Sequence, residues 1–320
     1  LGYISFVAFV ASLLVALTYG NHISMDEGWR SPLIVGLFAI ALIAFLSFVI
    51  IERNSAHPFF PFALFKDFSF SMGCLTLFFI GMAIFTSATF MLTYLEEALL
   101  YDKLHTGLAI FSYGISISIF SVLGNLLTRK ISPAYLGIFG LGILSLSFFL
   151  NNLLSFQSGK IMINILLILR GMGIGLSLGP MNAYSLHNVP KESITDGTTL
   201  LTFFRQVGAT YGGTVLGIVL TRRQIFHDLL FAQLVNPSLP GYQYNFQALK
   251  THLINVAGST PIEAEKQAKF LIIQNIKTQS LIQAINDALI LFGYLTLCII
   301  IILIIYSVRN YFNKKIALSK

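Results

Sequence analysis

The sequence predicts an all-α polytopic membrane protein, and three observations carry that prediction. Eight long apolar stretches fill most of the 320 residues. Charged residues make up only 10% of the chain, whereas they make up about a quarter of a soluble domain. Nearly all of these charges lie between the stretches, the exceptions being Arg170 and Arg205. Because backbone polar groups in a bilayer must be satisfied within the segment, each stretch is predicted to be a helix.

The predicted spans have the length that a bilayer requires. A hydrocarbon core about 30 Å thick needs about 20 apolar residues in a helix. A transmembrane β-strand would instead alternate over about ten residues, and the stretch 36–50 does not alternate. The eight predicted spans cover roughly residues 1–19, 33–51, 68–92, 106–127, 134–152, 161–185, 199–220 and 288–308.

Composition and motifs argue against several classes of protein. The net charge of +7 is spread over the joints between spans, without a basic run interleaved with aromatic residues, so nucleic acid is not a predicted partner. The sequence contains no HExxH or GxSxG motif, and the six histidines lie unclustered in the joints. We therefore predict neither an enzyme nor a metal site, and no cofactor.

The distribution of basic residues predicts the orientation, because cytoplasmic joints are enriched in lysine and arginine. This places the C-terminus in the cytoplasm and the joint 221–287 outside. Arg222 and Arg223, at the outer end of the seventh span, do not fit this arrangement. The basic residues assigned to the cytoplasmic side are Arg53, Lys66, Arg129, Lys130, Lys191, Arg309, Lys314, Lys315 and Lys320.

The joint 221–287 is polar, and its second half is predicted to be helical. Thr260 is a suitable N-cap, Pro261 suits the first helical position, and Glu263 completes a capping box. The segment is either an element that docks a partner or gates transport, or a connector that lies on the membrane surface.

The two arginines inside spans are the first candidates for a functional role. Arg170 lies near the middle of the sixth span, where an arginine is costly unless it faces a cavity or a partner. It is therefore either a substrate, anion or gating contact, or it binds carbonyl groups at a neighbouring helix end. Arg205 lies within reach of the predicted cytoplasmic interface and can extend its side chain to it.

Glycines recur at helical spacing in the sixth and seventh spans. Small residues at this spacing let two helix backbones approach closely, and Pro180 is a candidate hinge because a proline bends a helix. The predicted packing or hinge residues are Gly171, Gly175, Gly179, Pro180, Gly208 and Gly212.

Polar and aromatic side chains inside the spans are further candidates for a transport pathway, although each could equally form a hydrogen bond between helices. No predicted span contains Asp or Glu. Because proton-coupled transport normally needs a carboxylate or histidine within the membrane, either coupling resides in a missing part or this chain does not couple transport to protons. With Arg170, the pathway candidates are Tyr94, Tyr113, Asn182, Gln206 and Thr210.

The order of motifs resembles the C-terminal portion of the EmrB/QacA-type drug:proton antiporters, the fourteen-span branch of the major facilitator superfamily. The sequence departs from that family at Glu96, where Gln is usual, and at Ser112, where Pro is common. The motifs are Gly28-Trp29-Arg30-Ser31-Pro32, Glu52-Arg53, Thr106-Gly107-Leu108, Arg170-Gly171-Met172-Gly173-Ile174-Gly175 and Phe204-Arg205-Gln206-Val207-Gly208.

This resemblance implies a domain division and a function. Residues 1–66 would be two linker helices and residues 67–320 the C-terminal six-helix bundle. An N-terminal bundle with the acidic coupling residues would be missing from the chain. Arg205 would mark a cytoplasmic helix end. The implied function is multidrug efflux by proton antiport and alternating access in the bacterial inner membrane, with small amphipathic substrates, protons and the lipid bilayer as partners.

The sequence leaves open whether the chain transports by itself and whether it binds an adaptor. The chain could instead be a truncated remnant that does not transport, or a half-transporter that needs a separate N-terminal half. A periplasmic adaptor protein is a further candidate partner, docked on the outer joint.

Overall fold

The computed structural model of the chain describes residues 2–22, 28–55, 60–156, 158–235 and 240–318. These residues form nine α-helices. A π-helical turn, Tyr94–Ala98, continues the third helix. The helices are α1 Gly2–His22, α2 Pro32–Asn54, α3 Phe68–Thr93, α4 Lys103–Leu127, α5 Pro133–Leu150, α6 Lys160–Leu186, α7 Ile194–Leu234, α8 Pro240–Ala257 and α9 Pro261–Leu318.

Seven helices in the described part of the chain are long and apolar enough to cross a membrane, namely α1 to α6 and α9. The prediction of an all-α polytopic fold is thereby confirmed. The predicted seventh span, 199–220, forms the middle of α7 but is not among these seven. Arg205, Gln206 and a high share of glycine and threonine make it less apolar than its neighbours. An eighth span through α7 therefore stays a prediction.

The helices pack in an order that brings distant parts of the sequence together. Helices α1 and α2 form a pair, α3 lies along α7, and α6 contacts α3, α4 and α5. Helix α9 packs on α5 and α7. The pair is joined to the remaining helices through α7, where the Tyr211 hydroxyl donates to the Val10 carbonyl at 3.0 Å. The assignment of residues 1–66 as a linker and 67–320 as a bundle stays a prediction.

Glycines mark the closest helix contacts. At Gly208 and Gly212 of α7, an added Cβ would collide with the backbone of α3, at Phe78 and Met82 respectively. At Gly171 and Gly175 of α6, it would lie 2.8 Å from the Tyr113 carbonyl and 2.6 Å from the Ile117 carbonyl of α4. These helices can approach so closely because the glycines lack a side chain.

The described residues of the joint 221–287 are largely helical, in its first half as well as in the second half that was predicted to be helical. Helix α7 continues to Leu234, α8 follows after residues 236–239, and α9 starts at Pro261 and runs without a break through residue 287. The predicted helix start is confirmed, since Glu263 accepts from the Thr260 backbone N–H at 3.1 Å and the Thr260 hydroxyl accepts from the Glu263 N–H at 3.4 Å. Gly258 lies directly after α8 and adopts a φ of 68°, a conformation that favours glycine and permits the turn between α8 and α9.

An ion cluster joins the extension of α7 to α9. The Arg223 Nη2 atom lies 2.6 Å from Asp287 Oδ2, and His227 Nε2 lies 2.7 Å from the same oxygen. Arg223, which did not fit the predicted charge distribution, therefore has an acidic partner. This pairing offers a physical reason why a basic residue is tolerated at the outer end of the predicted seventh span.

Glu52 also corrects the sequence analysis, which placed this residue after the second span. It lies in the last turn of α2 and is only 5% exposed. Its Oε2 atom accepts from the Phe60 backbone N–H at 3.1 Å, and its other oxygen lies against Gly2 at the start of α1. The membrane-competent part of α2, Pro32–Arg53, thus includes a buried carboxylate.

The α3–α7 contact yields a matched pair of variants on one helix. Gly208→Ala should destabilise the protein by about 1–3 kcal/mol, because its new methyl group would overlap the Phe78 backbone. Gly217→Ala should be neutral or stabilising by up to about 1 kcal/mol, because nothing lies within 4 Å of the added atom. Thermal unfolding of the detergent-solubilised variants measures the difference. Equal losses of stability would contradict this packing.

Candidate functional site

Arg170 is completely buried between helices, with an exposed fraction of 0%. Its Nη2 atom donates to Asn151 Oδ1 at 2.8 Å, and its guanidinium carbon lies 5.0 Å from the centre of the Phe148 ring. Its Nε and Nη1 atoms find no hydrogen-bond partner among the described residues. The Arg170 guanidinium therefore contacts one side-chain amide and one aromatic face, and among the described residues it has no acidic partner.

The bond from Arg170 is the first link of a buried polar network. Asn151, at the end of α5, donates through Nδ2 to Asn286 Oδ1 of α9 at 2.8 Å. Asn286 in turn donates to the Leu154 carbonyl at 3.2 Å. The network ties together α6, α9 and the α5–α6 connection. This geometry matches an arginine anchored at a neighbouring helix end, while its role in a pathway stays a prediction.

Tyr94 and Tyr113 are buried and use their hydroxyl groups to join helices. Tyr94, at the end of α3, donates to the Ser155 carbonyl in the α5–α6 connection at 2.8 Å. Tyr113 of α4 donates to the Ile84 carbonyl of α3 at 3.2 Å. Arg170 and Tyr94 therefore reach the same connection, at residues 151 and 155, so two predicted pathway residues meet at one helix junction.

Gln206 and Thr210 lie together in an open groove of about 600 Å³ between α7 and α1. Both side chains are exposed, and the Thr210 hydroxyl donates to the Gln206 carbonyl at 3.1 Å. Because the residues are spaced by about one helical turn, the groove-facing side of α7 carries a polar stripe. The other polar groups of the groove are Thr18, Thr214 and Thr221, and its apolar lining includes Leu17, Phe85 and Ile218.

The remaining predicted residues lie apart from this groove. Asn182 is half-buried and donates to the Leu178 carbonyl of its own helix at 2.8 Å. Gly179 abuts the side chain of Asn125 in α4. Pro180 lies inside α6, which runs unbroken to Leu186, so a hinge there stays a prediction. Arg205 is half-buried, and its carbonyl packs against Gly81 of α3.

Sequence reasoning missed Asn151 and Asn286 as partners of Arg170. Both are asparagines close to the ends of predicted spans, which gave a weak signal that polar groups were needed there. Their meeting depends on the packing of α5 against α9, more than 130 positions apart in sequence. The spacing of residues along one chain does not report such a contact.

Metal coordination was not predicted, and the described residues include no cluster of three or more His, Cys, Asp or Glu side chains that could hold a metal ion. The groove is lined by hydroxyl, amide and apolar groups, with no charged side chain. Such a surface can bind and orient a ligand, and it lacks a nucleophile paired with a general base.

Helices that are apolar enough to cross a membrane, some of them in close contact at glycines, define a multi-pass membrane protein. The chain belongs to the Major Facilitator Superfamily, whose family model matches residues 1–213. This family comprises transporters, so the predicted absence of enzymatic activity is confirmed.

Curated relatives extend the similarity beyond the family match. The chain is 31% identical over 249 residues to the multidrug transporter protein MdtP of Bacillus subtilis, covering 77% of this chain and 45% of that protein. It is 27% identical over 219 residues to the multidrug resistance protein Stp of Mycobacterium tuberculosis, covering 68% and 40%. An uncharacterised transporter of Bacillus subtilis, YhcA, is 24% identical over 276 residues, covering 85% and 51%. The chain spans about half the length of these relatives.

The arginine network makes a prediction about stability. Arg170→Ala and Asn151→Ala should each cost about 1–3 kcal/mol, because each change leaves buried polar groups without a partner. The double variant should lose less than the sum of the two, since the side chains share one hydrogen bond. Thermal or denaturant unfolding in detergent provides the comparison.

Arg205→Ala is the matched arginine control, and its cost should be smaller because that side chain is half-exposed. Strictly additive losses for Arg170→Ala and Asn151→Ala would show that the network is not an energetic unit.

Proposed function

We propose that the protein is a multidrug efflux transporter that works by alternating access, and that the polar face of α7 forms part of its substrate path. The observation that carries the proposal is the groove containing Gln206 and Thr210. The relatives named as multidrug transport or resistance proteins support this choice of function.

The polar stripe needs an explanation because α7 is surrounded by helices that are apolar enough to span a membrane. Exposed amide and hydroxyl groups at membrane depth are expected to face protein or a water-filled cavity, since lipid tails offer no hydrogen-bond partner. A water-filled path beside α7 satisfies the exposed Gln206 amide. The Thr210 hydroxyl already donates to the Gln206 carbonyl, and its oxygen can still accept a hydrogen bond from that path. This is the arrangement expected of a helix that lines a transport pathway.

The lining of the groove indicates the class of substrate. Hydroxyl and amide groups alternate with Leu17, Phe85 and Ile218, and no charged residue lines the wall. Ligand sites commonly combine such apolar surface with a few polar groups that fix orientation. We infer that the substrates are small amphipathic compounds, bound by apolar contact and by a few hydrogen bonds.

Proton antiport would supply the energy for export in this proposal. The buried carboxylate of Glu52 lies near the α2–α3 turn, apart from the groove, and is engaged by the Phe60 N–H. We therefore assign coupling to a second helical bundle that faces α7 and carries ionisable groups within the membrane. That bundle could belong to the same polypeptide or to a separate one.

The proposed setting is the bacterial cytoplasmic membrane, with the C-terminus of the chain in the cytoplasm. The extensions of α7 and α9 and the packed helix α8 would then project on the outer side. A periplasmic adaptor protein is a candidate partner for this helical projection. Deleting residues 240–257 would test that part of the proposal by abolishing export while leaving insertion intact.

Substitutions in the groove test the transport proposal directly. Gln206→Ala and Thr210→Val should each raise the dye concentration for half-maximal efflux about 2- to 10-fold, the range expected for one lost hydrogen bond. Efflux is measured from cells that express the chain alone and together with an N-terminal six-helix half. The second arm also distinguishes a half-transporter from a chain with no transport activity.

Thr296→Val is the matched control. Thr296 donates to the Phe292 carbonyl within α9 at 2.8 Å, as Thr210 does within α7, but its side chain is buried away from the groove. Its removal should leave the half-maximal concentration unchanged. Normal efflux of every dye by both groove variants, at equal membrane abundance, would contradict a substrate path along α7.

A further inference from the structure

A second cavity, of about 510 Å³, lies between the α1–α2 pair and helices α3 and α7. Its wall is entirely apolar and largely aromatic. We call it the aromatic chamber and define it by Phe9, Phe48, Phe60, Phe78, Val207 and Val215, one or two residues from each surrounding segment. It is separate from the polar groove, because Gln206 and Thr210 do not line it.

Aromatic contacts hold the walls of the chamber in place. The ring centres of Phe6 and Phe48 are 5.0 Å apart, which joins α1 to α2. Phe6 also lies 5.1 Å from Phe203 of α7. The one hydroxyl group in the lining, on Tyr211, is already bonded to the Val10 carbonyl. The chamber therefore offers a ligand no free hydrogen-bonding group on these walls.

The chemistry of the walls restricts the occupant. Water is a poor occupant, because a buried water needs several polar partners and this wall provides none. An empty cavity of this size would be destabilising, because the lining atoms would lose their packing contacts. The volume lies in the range of ligand pockets. An apolar chain from the surrounding bilayer satisfies both constraints.

The entrance to the chamber supplies the argument for a lipid. Phe45 and Val49 of α2 line the cavity, and Phe45 is 41% exposed, so this wall reaches the molecular surface. Arg53 follows Val49 by four residues on the same face of α2, one turn further along, and is exposed. Among the described residues Arg53 has no ion-pair partner, so its charge is available to an anionic group beside the entrance.

We propose that the aromatic chamber binds the acyl chain of an anionic phospholipid, with the headgroup phosphate beside Arg53. The lipid fills the space between the α1–α2 pair and α7, and so joins the pair to the remaining helices. The site lies outside the proposed substrate path and does not depend on that proposal.

Photo-crosslinking in nanodiscs tests this lipid site. The probes are phosphatidylglycerol and phosphatidylcholine, each carrying the same diazirine-labelled acyl chain, and adducts are located by peptide mass spectrometry. Phosphatidylglycerol adducts should concentrate on the peptides that contain Phe9, Phe48 and Val207. Arg53→Gln should lower their yield about fivefold, towards that of phosphatidylcholine, the range expected for one basic residue near an anionic headgroup.

A variant that fills the chamber with a larger side chain provides a second test of the lipid site. Val207→Trp should reduce adducts at the other chamber peptides about tenfold, and the delipidated variant should melt at a higher temperature than wild type because it fills a void. If Val207→Trp prevents folding, Val207→Phe is used in its place. Leu146→Trp, on a face of α5 that is 51% exposed, is the matched control and should leave chamber adducts unchanged.

Two outcomes would overturn the proposal. Adducts spread evenly over the exposed helix faces, or unaffected by Val207→Trp, would show that no acyl chain occupies the chamber. Equal chamber labelling by both lipids in the wild-type protein would overturn the assignment of an anionic headgroup to Arg53. Neither outcome bears on efflux through the α7 groove.

Discussion

A polar group in the membrane-competent part of this chain is costly without a partner, because lipid tails cannot replace the hydrogen bonds that water would supply. The backbone avoids this cost by forming helices. Some buried side chains bond across helices, as in Arg170 to Asn151, Tyr94 to Ser155 and Tyr211 to Val10. Arg170 Nε and Nη1 are left without a partner among the described residues. The bonds of Arg170 and Tyr94 lie where helix ends meet, and that of Tyr211 joins the middle of α7 to the middle of α1. The exposed polar stripe of α7 is unusual against this background, and it is therefore the feature that best indicates function.

Helix α7 combines three surfaces because successive residues point about 100° apart around a helix. Gly208 and Gly212 face α3, where the two backbones nearly touch. Val207, Tyr211 and Val215 face the aromatic chamber, and Gln206 and Thr210 face the polar groove. Helix α7 therefore packs against α3 on one face, contacts the α1–α2 pair on a second and carries polar side chains on a third. The same mixture of residues makes it less apolar than the seven helices that meet the criteria for a span.

The sequence predicted what depends on local pattern. Apolar length located the helices, and the capping box of Thr260 and Glu263 located the start of α9. It could not predict what depends on tertiary packing. The partnership of Arg170 with Asn151 and Asn286 requires three helices to converge. Glu52 follows the predicted span 33–51, yet the fold buries it against Phe60 and Gly2. Gln206 and Thr210 were predicted as individual residues, and only the structure shows that they share a groove.

Cysteine accessibility tests most directly whether the polar face of α7 lies beside water within the membrane. The native Cys74 and Cys298 would first be replaced by alanine, and single cysteines introduced at Gln206, Thr210 and, as a lipid-facing control, Leu146. Each variant is treated with a water-soluble maleimide in native membranes, and the rate of labelling is measured. If that face lies beside water, labelling should be rapid at positions 206 and 210 and almost absent at 146. Labelling at 206 and 210 that is as slow as at 146 would contradict that placement beside water.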